Sequence, residues 1–295
     1  MAESEIDAVR ALLGAKPRPV GWQARRERLD EVGAVWPVAD DVRLEAADFD
    51  GVRAEWSTVP GSDPSRVLMF LHGGGYCSGS IVSHRRMVSE AGRAGGLRTL
   101  AVGYRLAPEH PFPAAFEDAL TVWRRLRKDG YAANRIAVGG DSAGAGLTLA
   151  LARELKRARE EQPGCLWLAS PWTDLTMSGA TLSTKAAIDP LIHKEYLEEL
   201  AHAYLPAGVD RKDPRVSPLY ADLRGLPPIL IQVGGDEILR DDAVRMAEKL
   251  KAAGGEAETD VWPRLPHVWH FYARLLPEAR QAIKRIGGFL ERRMG

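Results

Sequence analysis

The chain has 295 residues, 45% of them hydrophobic, which is enough for a sizeable core in one soluble globular domain. Forty basic residues balance forty acidic ones, so the composition carries no electrostatic footprint for nucleic acid or an anionic membrane. The two cysteines, Cys77 and Cys165, make no disulfide framework and point to reduced thiols and a cytoplasmic setting. The start, Met1-Ala2-Glu3-Ser4-Glu5, is acidic and lacks the apolar region of a signal peptide. No window approaches the ~18 uninterrupted apolar residues of a membrane span.

In chain order, Ile6 to Leu13 reads as a short amphipathic helix. The break Lys16-Pro17-Arg18-Pro19 follows, and then a second helical stretch through Trp22, Arg25, Leu29 and Val32. Both precede every strand, and they either cover a site built later or serve as a stabilising arm. From Val42 the period becomes two: Val42–Glu45 and Val52–Trp56 alternate around the Asp50-Gly51 turn, as in an antiparallel hairpin. Arg66 to Leu71 is a continuous apolar run, hence a strand buried on both faces.

That strand runs into His72-Gly73-Gly74-Gly75-Tyr76. Consecutive glycines are costly in backbone entropy, so bare amides are wanted here. An acyl-transfer site needs such amides, aimed at the oxyanion of a tetrahedral intermediate. A phosphate loop is the rival, but no Gly-Lys-Ser/Thr follows. The amides of Gly74 and Gly75, with that of Ala143 further on, are therefore assigned to an oxyanion hole, and His72 is expected to order the loop rather than act as a base.

Strand and helix then alternate: helix Ser83–Ala94, strand Leu97–Tyr104, helix Ala114–Lys128. The proline-punctuated connection through Glu109 and His110 is a fixed loop that precedes the nucleophile, and its two titratable groups are not expected to be catalytic. Next, Arg135 to Val138 reads as a buried strand that enters Gly140-Asp141-Ser142-Ala143-Gly144 and then an Ala/Leu-rich helix. A nucleophilic serine on so tight a strand-to-helix turn needs neighbours without side chains two residues either way.

Cys165 to Ser170 is another buried strand, followed by a long interruption from Thr176 to Pro214 with a helical pattern at Leu191, Tyr196, Leu197, Leu200 and Tyr204. An insertion there rises above the carboxyl ends of a doubly wound sheet, where such folds bind ligands. The strand Pro228–Gly235 ends at Asp236, whose carboxylate can project at the sheet's carboxyl edge. Asp241 and Asp242 fall at the next helix start, where capping and the dipole account for them. A last strand, Glu256–Trp262, precedes Pro266-His267-Val268-Trp269-His270. A base for Ser142 should come from this loop, and His267 is favoured because His270 begins the next turn.

The order Ser142, Asp236, His267 is the nucleophile–acid–base order of α/β-hydrolases. Together, His72-Gly73-Gly74-Gly75, Tyr104-Arg105-Leu106-Ala107-Pro108-Glu109, Gly140-Asp141-Ser142-Ala143-Gly144, Asp236-Glu237-Ile238-Leu239-Arg240-Asp241 and Pro266-His267-Val268-Trp269 resemble the hormone-sensitive-lipase-like carboxylesterases of bacteria. The resemblance spans nearly the whole chain. It implies an α/β-hydrolase fold with an eight-stranded, mostly parallel sheet flanked by helices. It also implies a helical cap (about 1–40 and 176–214), a Ser142/Asp236/His267 triad, and hydrolysis of short acyl esters. His270 is the one ambiguity left by the match.

Such a mechanism requires no metal or cofactor, and its partner is a small-molecule ester; a homodimer is compatible with the sequence. Tyr76 and Trp172 stand where the acyl and alcohol pockets need walls, and ordinary core aromatics would look the same. An amide or formamide hydrolase with the same triad is the nearer rival. A non-catalytic small-molecule receptor is the more distant one, since such a protein would be expected to lack a triad member.

Overall fold

Period-two burial along β3 (Asp63–Leu71) shows how the molecule is layered: Val67, Met69 and Leu71 pack to one side of the sheet, Leu68 and Phe70 to the other. A strand buried on both faces must carry apolar residues at every position, and this one does from Val67 onward. The computed structural model describes residues 4–15 and 18–295. Met1 to Glu3, and Lys16 and Pro17 of the first proline break, lie outside the described residues.

The arm α1 (Glu5–Gly14) and α2 (Trp22–Ala34) leads into the hairpin β1 (Arg43–Phe49) and β2 (Val52–Thr58). After β3 come α3 (Ile81–Gly95), β4 (Leu97–Gly103), α4 (Ala114–Lys128), β5 (Ile136–Asp141), α5 (Ala143–Arg157) and β6 (Cys165–Ala169). The insertion carries α6 (Thr181–Thr184) and α7 (Lys194–Tyr204). The chain closes with β7 (Ile229–Gly234), α8 (Arg240–Ala252), β8 (Ala257–Trp262) and α9 (Pro277–Met294). The expected strands and helices therefore form, with ends shifted by a residue or a few.

The eight strands are ordered β1-β2-β4-β3-β5-β6-β7-β8. β2 is antiparallel to both its neighbours and all later pairings are parallel. Residues of α4, α5 and α8 join one core, and residues of α3 and α9 join the other. The strand order reverses between β3 and β5, and at such a switch point the carboxyl ends of adjacent strands open a crevice. The triple-glycine loop leaves β3 there, and the serine turn leaves β5.

Candidate active site

Ser142 stands between β5 and α5 with φ 52° and ψ −120°, a left-handed conformation that a non-glycine residue holds only when its surroundings force it. Those surroundings are backbone. A Cβ on Gly144 would lie 2.0 Å from the carbonyl oxygen of Leu71, and one on Gly140 would lie 2.4 Å from that of Gly144. The Ser142 amide donates to Ala169 O at 2.9 Å, and its carbonyl accepts the Trp172 amide at 3.0 Å. The glycines let β3, β5 and the turn close up until the serine has nowhere else to go.

The glycine loop is tied to the same turn. The Gly73 amide donates to Asp141 Oδ1 at 2.8 Å, and His84 Nε2 lies 3.1 Å from that oxygen. Burial pushes the Asp141 carboxyl up, but the ring of His84, the Gly73 amide and His267 outweigh it and leave the pKa below the usual range. His72 turns its Nδ1 to Gly73 O (2.8 Å), stacks on Tyr104 at 4.1 Å, and accepts the Tyr104 hydroxyl on its own carbonyl at 2.6 Å. Burial pushes its pKa down to about 3, so the ring is a neutral loop anchor. Gly74 (φ 107°) and Gly75 (φ 64°) follow in conformations that disfavour side chains. Among the described residues no protein acceptor takes their amides. Ala143 opens α5, so its amide has no partner within the helix.

His267 is 5% exposed, and its Nδ1 lies 2.7 Å from Glu237 Oε2, not from Asp236. The carboxylate that meets the His267 ring is therefore that of the residue after the expected Asp236, which pairs with Arg10 instead. Past the end of β7 the chain turns, with the Gly235 amide on Trp262 O and that of Asp236 on Leu265 O, and this turn sends the two consecutive side chains to opposite sides. Asp236 faces outward, paired with Arg10 of α1 and 3.6 Å from Lys185 Nζ. Glu237 points inward, 0% exposed, with Oε1 accepting the Gly234 amide at 2.5 Å and the Ser170 hydroxyl at 2.6 Å. A signal was present in the sequence: Ile238 and Leu239 follow at once and are both buried, so the inward path of the chain begins at Glu237.

Burial lowers the pKa of His267, but the charge and hydrogen bond of Glu237, aided by Asp189 and Asp141, outweigh it and raise the value above that of an ordinary histidine. His270 lies elsewhere: its Nε2 meets Gln232 Oε1 at 2.9 Å, its ring packs on Trp269, and burial pushes it down to about 3.

Asp241 and Asp242 sit in the first turn of α8 but cap nothing there. Asp241 accepts the Thr181 amide of the insertion, and Asp242 accepts those of Thr173 and Asp174 after β6. Glu109 pairs with Arg26. Tyr76 and Trp172 are each 1% exposed; Tyr76 stacks on Tyr204 of α7 at 3.8 Å, and the ring of Trp172 lies 6.2 Å away.

A strained serine at the switch point, a glycine loop facing it, and a histidine backed by a buried carboxylate on the last two loops define a class of hydrolase. Residues 68–271 match the family described as alpha/beta hydrolase fold, and the chain belongs to it, among the hormone-sensitive-lipase-like carboxylic ester hydrolases. It is similar to an acetyl-hydrolase of Streptomyces hygroscopicus, at 38% identity over 100% of this chain and 99% of the relative. An esterase of Acinetobacter venetianus is 35% identical over 90% of this chain and 88% of its own. The crystal structure of an esterase from the bacterial hormone-sensitive lipase family superposes with a TM-score of 0.96, at 44% identity and with both chains fully covered.

Proposed function

We propose that this ester hydrolase acts on short acyl esters through Ser142, His267 and Glu237. The observation that carries the reading is the buried 2.7 Å contact between Glu237 and His267 Nδ1, which leaves Nε2 free to serve a nucleophile. His267 takes the proton of Ser142 as its oxygen attacks the ester carbonyl. The amides of Gly74, Gly75 and Ala143 hold the oxyanion; losing one such donor typically raises the barrier by ~3–4 kcal/mol. Protonated His267 then gives its proton to the leaving alcohol. The same histidine activates the water that clears the acyl-enzyme, while Glu237 keeps the imidazole in the required tautomer.

The preference for short acyl chains rests on how little room the loop leaves. Leu200 and Tyr204 of α7 are at most 3% exposed, as are Tyr76 and Trp172. A Cβ on Gly75 would lie 2.4 Å from Leu200 Cδ1. In this reading α1, α2, α6 and α7 are the cap, and Tyr76 and Trp172 wall the acyl and alcohol pockets. The names of two relatives, an acetyl-hydrolase and an ethyl acetate hydrolase of Pseudomonas putida, point the same way. No helix among the described residues is long and apolar enough to cross a membrane.

Each buried methylene adds roughly 0.8 kcal/mol until the chain meets the end wall. Across p-nitrophenyl acetate, butyrate, hexanoate, octanoate and palmitate, kcat/KM should peak at a short chain and fall for long ones, and p-nitroacetanilide should be cleaved far more slowly. A maximum at palmitate, or a jump in rate as substrate passes its solubility limit, would refute the short-chain reading. A preference for the anilide would make the enzyme an amidase.

A further inference from the structure

We propose that Ser170, which stands outside the triad, is the positioning residue that locks the acid and the base together; this rests on the Ser142/His267/Glu237 reading. Ser170 follows β6 and is 0% exposed, with φ 45° in the left-handed region. Its amide donates to Gln232 O of β7 at 2.7 Å. Its hydroxyl donates to Glu237 Oε1 at 2.6 Å and accepts the amide of Val268 at 3.0 Å. Val268 is the residue directly after the base, and it too has a left-handed φ, 48°, which is rare for a β-branched residue. The residue before Ser170, Ala169, receives the Ser142 amide on its carbonyl. One hydroxyl therefore joins the loop after β6 to the loops after β7 and β8, which in this reading carry the acid and the base.

The chemistry of that position is narrow. The group must give a proton to a carboxylate and take one from an amide in the same small, dry space. A hydroxyl does both, and a methyl group does neither. The last torsion of a glutamate is intrinsically broad. Here the Gly234 amide and Ser170 on Oε1, with His267 on Oε2, hold the carboxylate plane that orients the imidazole. Ser170 touches no reacting atom. Its action passes through Glu237 and through the backbone that follows His267.

The test is a double-mutant cycle in the full-length enzyme, with kcat, KM and Tm measured for each variant. Partners that orient a working group from outside it are typically worth about 10- to 100-fold. Ser170→Ala should therefore lower kcat by about that factor with KM changed less than about threefold. In a Glu237→Ala background the same substitution should lower kcat less than about threefold, because the carboxylate that carries most of its effect is gone and only the Val268 amide contact remains to be lost. Ser170→Gly, relaxed at positive φ, should lose kcat as Ser170→Ala does, and it carries the same cycle if the alanine variant does not fold. A folded Ser170→Ala or Ser170→Gly with near-normal kcat would overturn the proposal. So would an equal loss in both backgrounds, which is what a purely structural role produces. Failure of the triad reading looks different: Glu237→Ala would then retain full activity.

Discussion

Beneath the reacting face, Glu237, His267, Ser170, Asp141 and His84 are all buried, and each meets a partner at close range. The arm buries Ile6 and Val9 of α1 and is otherwise pinned by arginines. Arg10 pairs with Asp236, Arg25 with Glu199, and Arg26 with Glu109, while Arg18 lies over the ring of Tyr196 at 3.5 Å. Glu199 and Glu109 are about half exposed, and α2 has no buried residue at all. Pairs with a half-exposed partner, as at Glu199 and Glu109, are typically worth less than about 1 kcal/mol each, whereas breaking a buried polar network leaves groups that water cannot reach. The floor holds three strained residues, Ser142, Ser170 and Val268, and needs that firmness; the arm holds none of them.

The sharpest way to break this contrast is to compare two neighbouring carboxylates, one on each side of it. Glu237→Ala should lower kcat by roughly 10³–10⁴-fold, the scale on which triad acids act. Asp236→Ala should lower it less than about threefold. Equal losses would erase the distinction between floor and roof.

A second, smaller effect concerns pH. In the proposed mechanism neutral imidazole is the working form of the base, and His267 has its pKa raised by Glu237 with help from Asp189 and Asp141. The acid limb of kcat/KM should therefore have its midpoint above the ordinary histidine value of about 6.5, with activity falling about tenfold per pH unit below it. Glu237→Gln removes the nearest charge and should move that midpoint down in whatever activity remains. A midpoint below 6 in the unaltered enzyme would contradict the buried ion contact.

The smallest effect belongs to the arm. Raising NaCl from 0.05 to 0.5 M shortens the screening length from about 14 Å to about 4 Å and should weaken the arginine pairs without touching the floor. KM should move by no more than about fivefold, and kcat less than KM. Arg10→Ala should behave in the same way. A collapse of kcat in either experiment would show that the arm holds the reaction centre as well as covering it.

Much of this was legible in the residues. The turn around Ser142 announces itself because its glycines are demanded by backbone contacts on every side, and such demands leave a spaced mark. His267 was readable from its place after the last strand. Glu237 was legible only through the apolar Ile238 and Leu239 that follow it, because the choice between adjacent carboxylates depends on how the chain turns after β7, a matter of two hydrogen bonds to β8 and the loop beyond it. Asp241 and Asp242 lie in the first turn of α8 as the dipole argument requires, but they cap nothing there: their partners, Thr181 and the amides after β6, lie some sixty residues or more away in the chain. Ser170 ends an apolar strand, and nothing local distinguishes it from any other buried serine.

The contact between α7 and the glycine loop has a consequence for motion. Tyr204 stacks on Tyr76, Leu200 fills the space beside Gly75, and the Phe112 amide closes on the carbonyl of Tyr204 at 2.8 Å. The arm can lift by giving up ion pairs that water replaces together with the buried contacts of Ile6 and Val9. Helix α7 can lift only by unstacking aromatic rings and uncovering the glycine loop. In the proposed mechanism α7 and that loop therefore open together, and raising α7 disturbs the amides assigned to the oxyanion.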